Sequence, residues 1–199
     1  MKLILASKSP RRREILTKLG VSIEILTLDT AEDGERDSLT PEELVMGLAC
    51  RKVRAAWEAV KDRPDCDDCV ILSADTVVSY DGKVLEKPED TEDAKRMLAM
   101  LSGNRHEVFT GIAMMYRGAL AIDSERTDVY FRELSEPEID AYVRTGEPMD
   151  KAGAYAAQGR GSLFVRRIDG DYFNVVGLPA AKVDALLKER FGFGLLDFE

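Results

Sequence analysis

The stretch Val70-Ile-Leu-Ser-Ala-Asp-Thr-Val-Val78 constrains this chain more than any other. A near-continuous apolar run of this length, rich in β-branched residues, reads as a strand covered on both faces rather than one that alternates between core and water. Asp75 interrupts it. A carboxylate inside such a strand needs a cation, a metal or hydrogen bonds. Either the strand faces a ligand at that point, or it ends early and Asp75 bonds to nearby backbone N–H groups.

The rest of the chain supplies layers for that strand. A short buried strand at Leu3 to Ala6 and a helix from Pro10 to Gly20 come first, then a strand at Ser22 to Leu28 and an acidic loop from Asp29 to Asp37. Thr40-Pro-Glu-Glu43 has capping-box spacing and opens a helix reaching about Lys61. After the Val70 to Tyr80 strand, Asp81-Gly82 is a hairpin turn into Val84 and Leu85. A helix capped by Asp90 or Thr91 ends at Gly103, and strands follow from about Glu107 to Tyr116 and Leu120 to Phe131. Ser135-Glu-Pro-Glu138 starts a further helix. Glu147 to Ser162 reads as a long loop of the kind that carries function, before strands at Leu163 to Ile168 and Tyr172 to Val176 and a helix from Pro179 to about Arg190. Without a repeat or linker, residues 1–199 are expected to form one α/β or α+β domain, with a loosely held tail from about Phe191.

Cations crowd the first helix. Ser9 offers an N-cap and Pro10 the first helical position, so Arg11, Arg12 and Arg13 fall in the first turn. The positive end of the helix dipole disfavours them there by roughly 0.3–1 kcal/mol each. With Ser7 and Ser9 beside them, these guanidinium groups form a phosphate cradle, unless the segment is simply a solvated basic turn.

The net charge of −9 excludes a broad basic surface, so no nucleic acid or anionic membrane is expected as a partner, and any phosphate ligand must meet a local pocket. No stretch is apolar enough to span a membrane, and Met1 leads directly into a strand without a signal peptide's apolar core, which points to a cytoplasmic protein. Cys50, Cys66 and Cys69 are an odd set, and the C-x-x-C spacing of the last two lacks a second pair for zinc. The one histidine, His106, leaves too few ligands for a typical catalytic zinc site and excludes a Ser-His-Asp triad unless it is the base.

In the helix from Thr40 to Lys61, Leu44, Val45, Leu48, Ala49, Ala55 and Ala56 define one face, with Lys52 near its centre. That lysine either snorkels its ammonium out or meets a buried anion. Lys87-Pro88 follows the hairpin, and Glu32 lies among the acids of the Asp29 to Asp37 loop. Cations for phosphate oxygens together with carboxylates for a hard metal ion are the parts for phosphoryl-group hydrolysis with Mg²⁺ or Mn²⁺.

Over nearly the whole chain the residues resemble the Maf family of nucleotide pyrophosphatases. The matches run in order: Ala6-Ser-x-Ser-Pro-Arg-Arg12, Ala74-Asp-Thr-Val-Val78, Leu85-Glu-Lys-Pro88, Leu101-Ser-Gly-x-x-His106-x-Val-x-Thr-Gly111, Gly146-Glu-Pro-x-Asp-Lys-Ala-Gly-Ala-Tyr155, Gln158-Gly159 and Asn174-Val-Val-Gly-Leu-Pro179. The resemblance implies an α/β fold, a mixed twisted sheet flanked by helices in two lobes with a cleft. It implies divalent-metal-dependent (Mg²⁺ or Mn²⁺) cleavage of a nucleoside triphosphate to monophosphate and pyrophosphate, in a protein that is often a homodimer.

Position by position, the resemblance makes Asp75 the proton acceptor and Ser7, Arg12, Lys52 and Lys87 phosphate-binding residues. It makes Glu32, with Asp75, metal-associated, although Thr30-Ala-Glu-Asp-Gly34 departs from the usual acidic loop. Arg11, Thr76 and Gln158 match positions tied to substrate choice, and Asp150-Lys-Ala-Gly-Ala-Tyr-Ala-Ala-Gln158 looks like the branch that prefers dTTP and UTP. The Gln158 amide, with a donor beside an acceptor, suits the O4 and N3–H edge shared by uracil and thymine. The alternatives are the branch acting on 7-methyl-GTP and a non-enzymatic regulator of septum formation.

Overall fold

Leu3, Ile4, Leu5 and Ala6 are all buried, as a short strand enclosed by two layers must be. They belong to β1 (Lys2–Ala6), one of seven strands in a single mixed sheet with β2 (Ile23–Leu26), β3 (Cys69–Tyr80), β4 (Lys83–Leu85), β5 (Arg105–Tyr116), β6 (Ala119–Phe131) and β7 (Val165–Asp169). The helices are α1 (Pro10–Lys18), α2 (Pro41–Val60), α3 (Thr91–Leu101), α4 (Glu136–Val143), α5 (Tyr172–Val176) and α6 (Ala180–Phe191). This computed structural model describes residues 1–28 and 39–198. The mixed α/β architecture, a sheet flanked by helices, is the one expected.

Strand order is β2-β1-β3-β5-β6-β7, with β4 pairing β3 off that path. β1 runs parallel to β2 and β3; the other pairings are antiparallel. The apolar strand is therefore central, and its length has a consequence. β1 pairs with it only at Cys69 to Leu72, and β4 only at Val78 to Tyr80. Between them, among the described residues, residues 73–77 have a strand partner only in β5, which leaves that edge of β3 open, with Asp75 and Thr76 in the gap.

α2 covers one face of the sheet through Ala49, Val53 and Ala56 against Ile4, Ile71 and Ala113. The approach is close because position 111 lacks a side chain: a Cβ on Gly111 would lie 2.4 Å from the backbone of Val45. On the opposite face, α1, α6 and the C-terminal segment pack over Leu3, Leu5, Leu72 and Ile112. A separate core of Val78, Leu98, Val129, Phe131, Tyr142 and Tyr155 joins α3 and α4 to the far end of the sheet. The open edge of β3 lies between these two cores.

Both capping boxes form, at Thr40 with Glu43 and at Ser135 with Glu138. Ser9 occupies the N-cap position of α1, but its side chain makes no cap bond; its N–H donates instead to Ser7 Oγ at 3.1 Å. Three expectations are corrected. Tyr172 to Val176 is a helix, not a strand: the Asp171 carboxylate accepts the Phe173 N–H at 2.7 Å, nucleating a turn that Gly177 ends, so capping overrides the β propensity of Tyr, Phe and Val. The strand expected from Leu163 begins at Val165, after a 3₁₀ turn at Arg160–Phe164. The tail is not loose, since Leu195 and Phe198 are 3% and 2% exposed, and Leu195 N–H donates to Asp184 Oδ1 at 2.8 Å.

Candidate active site

A cleft of about 630 Å³ opens along the edge of β3 between its pairings with β1 and β4. Ser7, Arg11, Arg12, Lys52, Asp75, Thr76, Lys87 and Gln158 all line it, so eight of the expected site residues converge on one space. Glu32 lies outside the described residues.

Asp75 points from the open edge of β3 toward α2, where the Lys52 ammonium meets its carboxylate. The two alternatives for Lys52 resolve: it meets an anion and does not snorkel. Asp75 is likewise no strand end, because β3 continues to Tyr80. The register of α2 is what delivers Lys52. Its N-terminus is held by the Thr40 box, and its small-residue face lies close on the sheet with Ser73 Oγ donating to Ala49 O at 2.7 Å.

Thr76, the next residue, faces the other side of the sheet and belongs to a different network. Arg12 enters from α1, is 9% exposed, and commits three donors: Nε to Gly177 O at 2.8 Å, Nη1 to Ser7 Oγ at 3.2 Å and Nη2 to Thr76 Oγ1 at 3.1 Å. Burial pulls its guanidinium below the ordinary arginine value, and the nearby Asp75 charge opposes that shift. The basic first turn is thus no solvated surface at Arg12. Its side chain ties the β1–α1 loop, β3 and the end of α5 together and lines the cleft, with two of its five N–H groups outside these bonds.

Lys87 is exposed just beyond β4, and Gln158 is exposed at the cleft rim. The loop that carries Gln158 is seated by Gly153, whose N–H donates to Glu86 O at 3.1 Å in a left-handed conformation (φ +67°) that brings it against Val78. Glu147 holds its far end, accepting from the Arg160 and Gly161 N–H groups, each at 3.1 Å, and from the Tyr142 hydroxyl at 2.9 Å. Partial burial pushes the Glu147 carboxyl up, but these hydrogen bonds outweigh it and hold the group below the usual value. Tyr155 lines the cleft with its hydroxyl 2.8 Å from His106 Nε2.

Asp150 and Lys151, not among the expected site residues, also line the cleft and pair with each other. The Lys151 side chain is only 13% exposed. The signal was present in the sequence as an Asp-Lys pair inside a glycine-containing loop. Among the described residues, no group of three or more His, Cys, Asp or Glu side chains could hold a metal by itself, and no helix is long and apolar enough to cross a membrane.

A mixed sheet with an interrupted edge, a carboxylate in the interruption and cations arriving from a helix N-terminus, a facing helix and a hairpin define an α/β protein built around an anion-binding cleft. The chain belongs to the Maf-like protein family, whose sequence pattern matches residues 2–190. It is 45% identical over 188 residues to the dTTP/UTP pyrophosphatase of Bacillus cytotoxicus, covering 94% of this chain and 95% of that protein. It is 46% identical, with the same coverage, to the proteins of that name from Bacillus thuringiensis subsp. konkukian and Bacillus cereus.

Proposed function

We propose that this protein is a dTTP/UTP pyrophosphatase that hydrolyses the nucleotide to monophosphate and pyrophosphate in the cytoplasm. The observation that carries the reading is the placement of Asp75, on the open edge of β3 and paired with Lys52, in the same cleft as Arg12, Lys87 and Gln158.

Water attacks the α-phosphorus, its proton passes to Asp75, and the bond to the bridging oxygen of the β-phosphate breaks. Lys52, Lys87 and the remaining N–H groups of Arg12 neutralise the charge that grows on departing pyrophosphate, and the Ser7 hydroxyl binds a phosphate oxygen. Arg11, Thr76 and Gln158 select the nucleoside. Asp75 and Glu32 would hold a divalent cation, Mg²⁺ or Mn²⁺. A hard cation that takes one or two carboxylates and completes its shell with phosphate oxygens and water fits a cleft without a protein-only metal cluster. When bound, that ion would withdraw charge from the phosphate oxygens and position the nucleophile. A homodimer, checked by sedimentation of the purified protein, belongs to the same reading.

Purified protein assayed with each metal against dTTP, UTP, CTP and 7-methyl-GTP tests the proposal, with phosphorus NMR identifying the first product. Pyrophosphate from dTTP and UTP is the expected result. Orthophosphate as the initial product, or turnover confined to 7-methyl-GTP, overturns it.

A further inference from the structure

Thr76 and Thr110 stand directly opposite each other in the β3–β5 ladder, and their hydroxyl oxygens are 2.9 Å apart. Each hydroxyl has one proton to give. Thr110 Oγ1 also lies 3.2 Å from the backbone carbonyl of Asn174, an acceptor that bonds the Gly177 N–H with one lone pair and has another to offer. Among the described residues, Thr76 Oγ1 has only the Gly177 carbonyl as a further acceptor, and at 3.5 Å it is more distant than Asn174 O is from Thr110; that oxygen also receives Arg12 Nε at 2.8 Å.

Two directions of bonding are conceivable. In one, Thr76 donates to Thr110 and Thr110 donates to Asn174 O, so both protons are placed at hydrogen-bonding distance. In the other, Thr110 donates to Thr76 and the Thr76 proton is left with a contact at the limit of a hydrogen bond. Thr110 is fully buried, so no water competes with Asn174 O for its proton, whereas the half-buried Thr76 would turn a freed proton into the cleft. The Asn174 carbonyl is also held in place: its side-chain Nδ2 donates to Val108 O at 3.0 Å and to Thr127 Oγ1 at 2.9 Å, and Thr127 is in turn bonded to both the N–H and the carbonyl of Asp171. On its remaining side Thr76 Oγ1 accepts from Arg12 Nη2 at 3.1 Å.

We infer that Thr110 and Asn174 are positioning residues that fix the polarity of the Thr76 hydroxyl, so that it presents a lone pair and no proton to the nucleotide. The inference rests on the proposed pyrimidine triphosphatase activity and deepens it. With its proton spent on Thr110 and one lone pair on Arg12, Thr76 has a single valence left for the cleft that it lines. That valence rewards a donor and repels an acceptor. Uracil and thymine carry a donor at N3–H, whereas cytosine carries a bare N3 there; with N3–H on Thr76, the Gln158 amide is left to donate to the neighbouring O4, where cytosine has N4–H₂. A sugar hydroxyl would satisfy the same valence, but substrates sharing one sugar separate the two cases.

The test is the ratio of kcat/KM for dUTP over dCTP in Thr110→Val and Thr110→Ser, with folding checked by thermal melting. Valine keeps the shape and removes the acceptor, which frees the Thr76 proton to turn into the cleft. The ratio is expected to fall roughly three- to tenfold, the equivalent of one hydrogen bond, through a gain on dCTP relative to dUTP. Serine restores the acceptor and keeps the ratio of the unmodified enzyme. Should Thr110→Val fail to fold, Thr110→Ala removes the same acceptor and is read in the same way. An unchanged ratio in the valine or alanine variant overturns the inference, as does a serine variant that loses as much preference as valine, or a loss seen equally for both substrates. An unmodified enzyme that hydrolyses neither dUTP nor dTTP overturns the functional reading and this inference together. A normal dUTP preference untouched by Thr110→Val overturns this inference alone.

Discussion

The Lys52 ammonium, carried on α2, pairs with the Asp75 carboxylate on the unpaired edge of β3, and the two side chains are only 20% and 15% exposed. An ion pair so withdrawn from water gains little net stability over an apolar pair, while the loss of one member leaves an uncompensated charge. Its presence in an otherwise apolar strand and helix face therefore points to chemistry more than to folding.

Asp75→Asn keeps the shape of the side chain and removes the base. kcat should fall roughly 10²–10⁴-fold at saturating metal, with nucleotide affinity largely retained. Single-turnover kinetics alongside equilibrium binding of a non-hydrolysable triphosphate separates the two quantities. Near-normal kcat would remove Asp75 from the role of proton acceptor.

Gln158 stands at the rim on a loop seated by Gly153 and Glu147, so its substitution should leave the fold intact. Gln158→Ala or Gln158→Glu is expected to erode the preference for UTP over CTP by the equivalent of about 1–3 kcal/mol, beyond any shared loss. Parallel kcat/KM measurements on the two nucleotides check this. A proportional loss on both would assign Gln158 to loop structure.

Gly111→Ala sets a methyl group 2.4 Å from the Val45 backbone, which no rotamer change relieves. α2 must shift away from the sheet and take Lys52 with it. We expect a stability loss of at least about 1–3 kcal/mol, together with a fall in activity larger than the unfolded fraction explains. Chemical denaturation and kinetics on one preparation test the coupling, and a stable, fully active variant would show that the contact yields without moving Lys52.

His106 is 1% exposed against Phe131 and Tyr155, and burial lowers its imidazole pKa from 6.5 to about 3. The unfolded chain therefore binds a proton between about pH 6.5 and pH 3 that the folded chain does not. The stabilisation is fully present above pH 6.5 and is lost as pH falls toward 3, on the order of 2 kcal/mol between about pH 7 and pH 5. Urea titrations of the unmodified protein and of His106→Gln at both pH values should show that much less pH dependence in the variant. Equal dependence would place the acid sensitivity in the carboxylates instead.

The periodicity of the sequence was sufficient for the central strand, α2 and the two capping boxes, because these rest on local spacing and short-range hydrogen bonds. It also marked Asp75 and Lys52 as polar residues out of place, since a burial pattern is read one residue at a time. That the two meet each other was decided by the sheet. β1 stops at Ala6 and β4 starts at Lys83, and only their separate pairings along β3 open the edge where Asp75 stands, while the missing side chain at Gly111 lets α2 come close enough to bring Lys52 there. The same holds for Thr76, Thr110 and Asn174, which are far apart in the chain and ordinary in their local contexts. The helix at Tyr172–Val176 and the seated tail at Leu195 and Phe198 escaped the sequence because an Asp cap and contacts with distant elements overrode local propensity. Residue types and their periods are written in the sequence itself, but the partner of a buried charge and the direction of a buried hydroxyl proton arise from contacts between remote segments, which exist only once the sheet has closed around them.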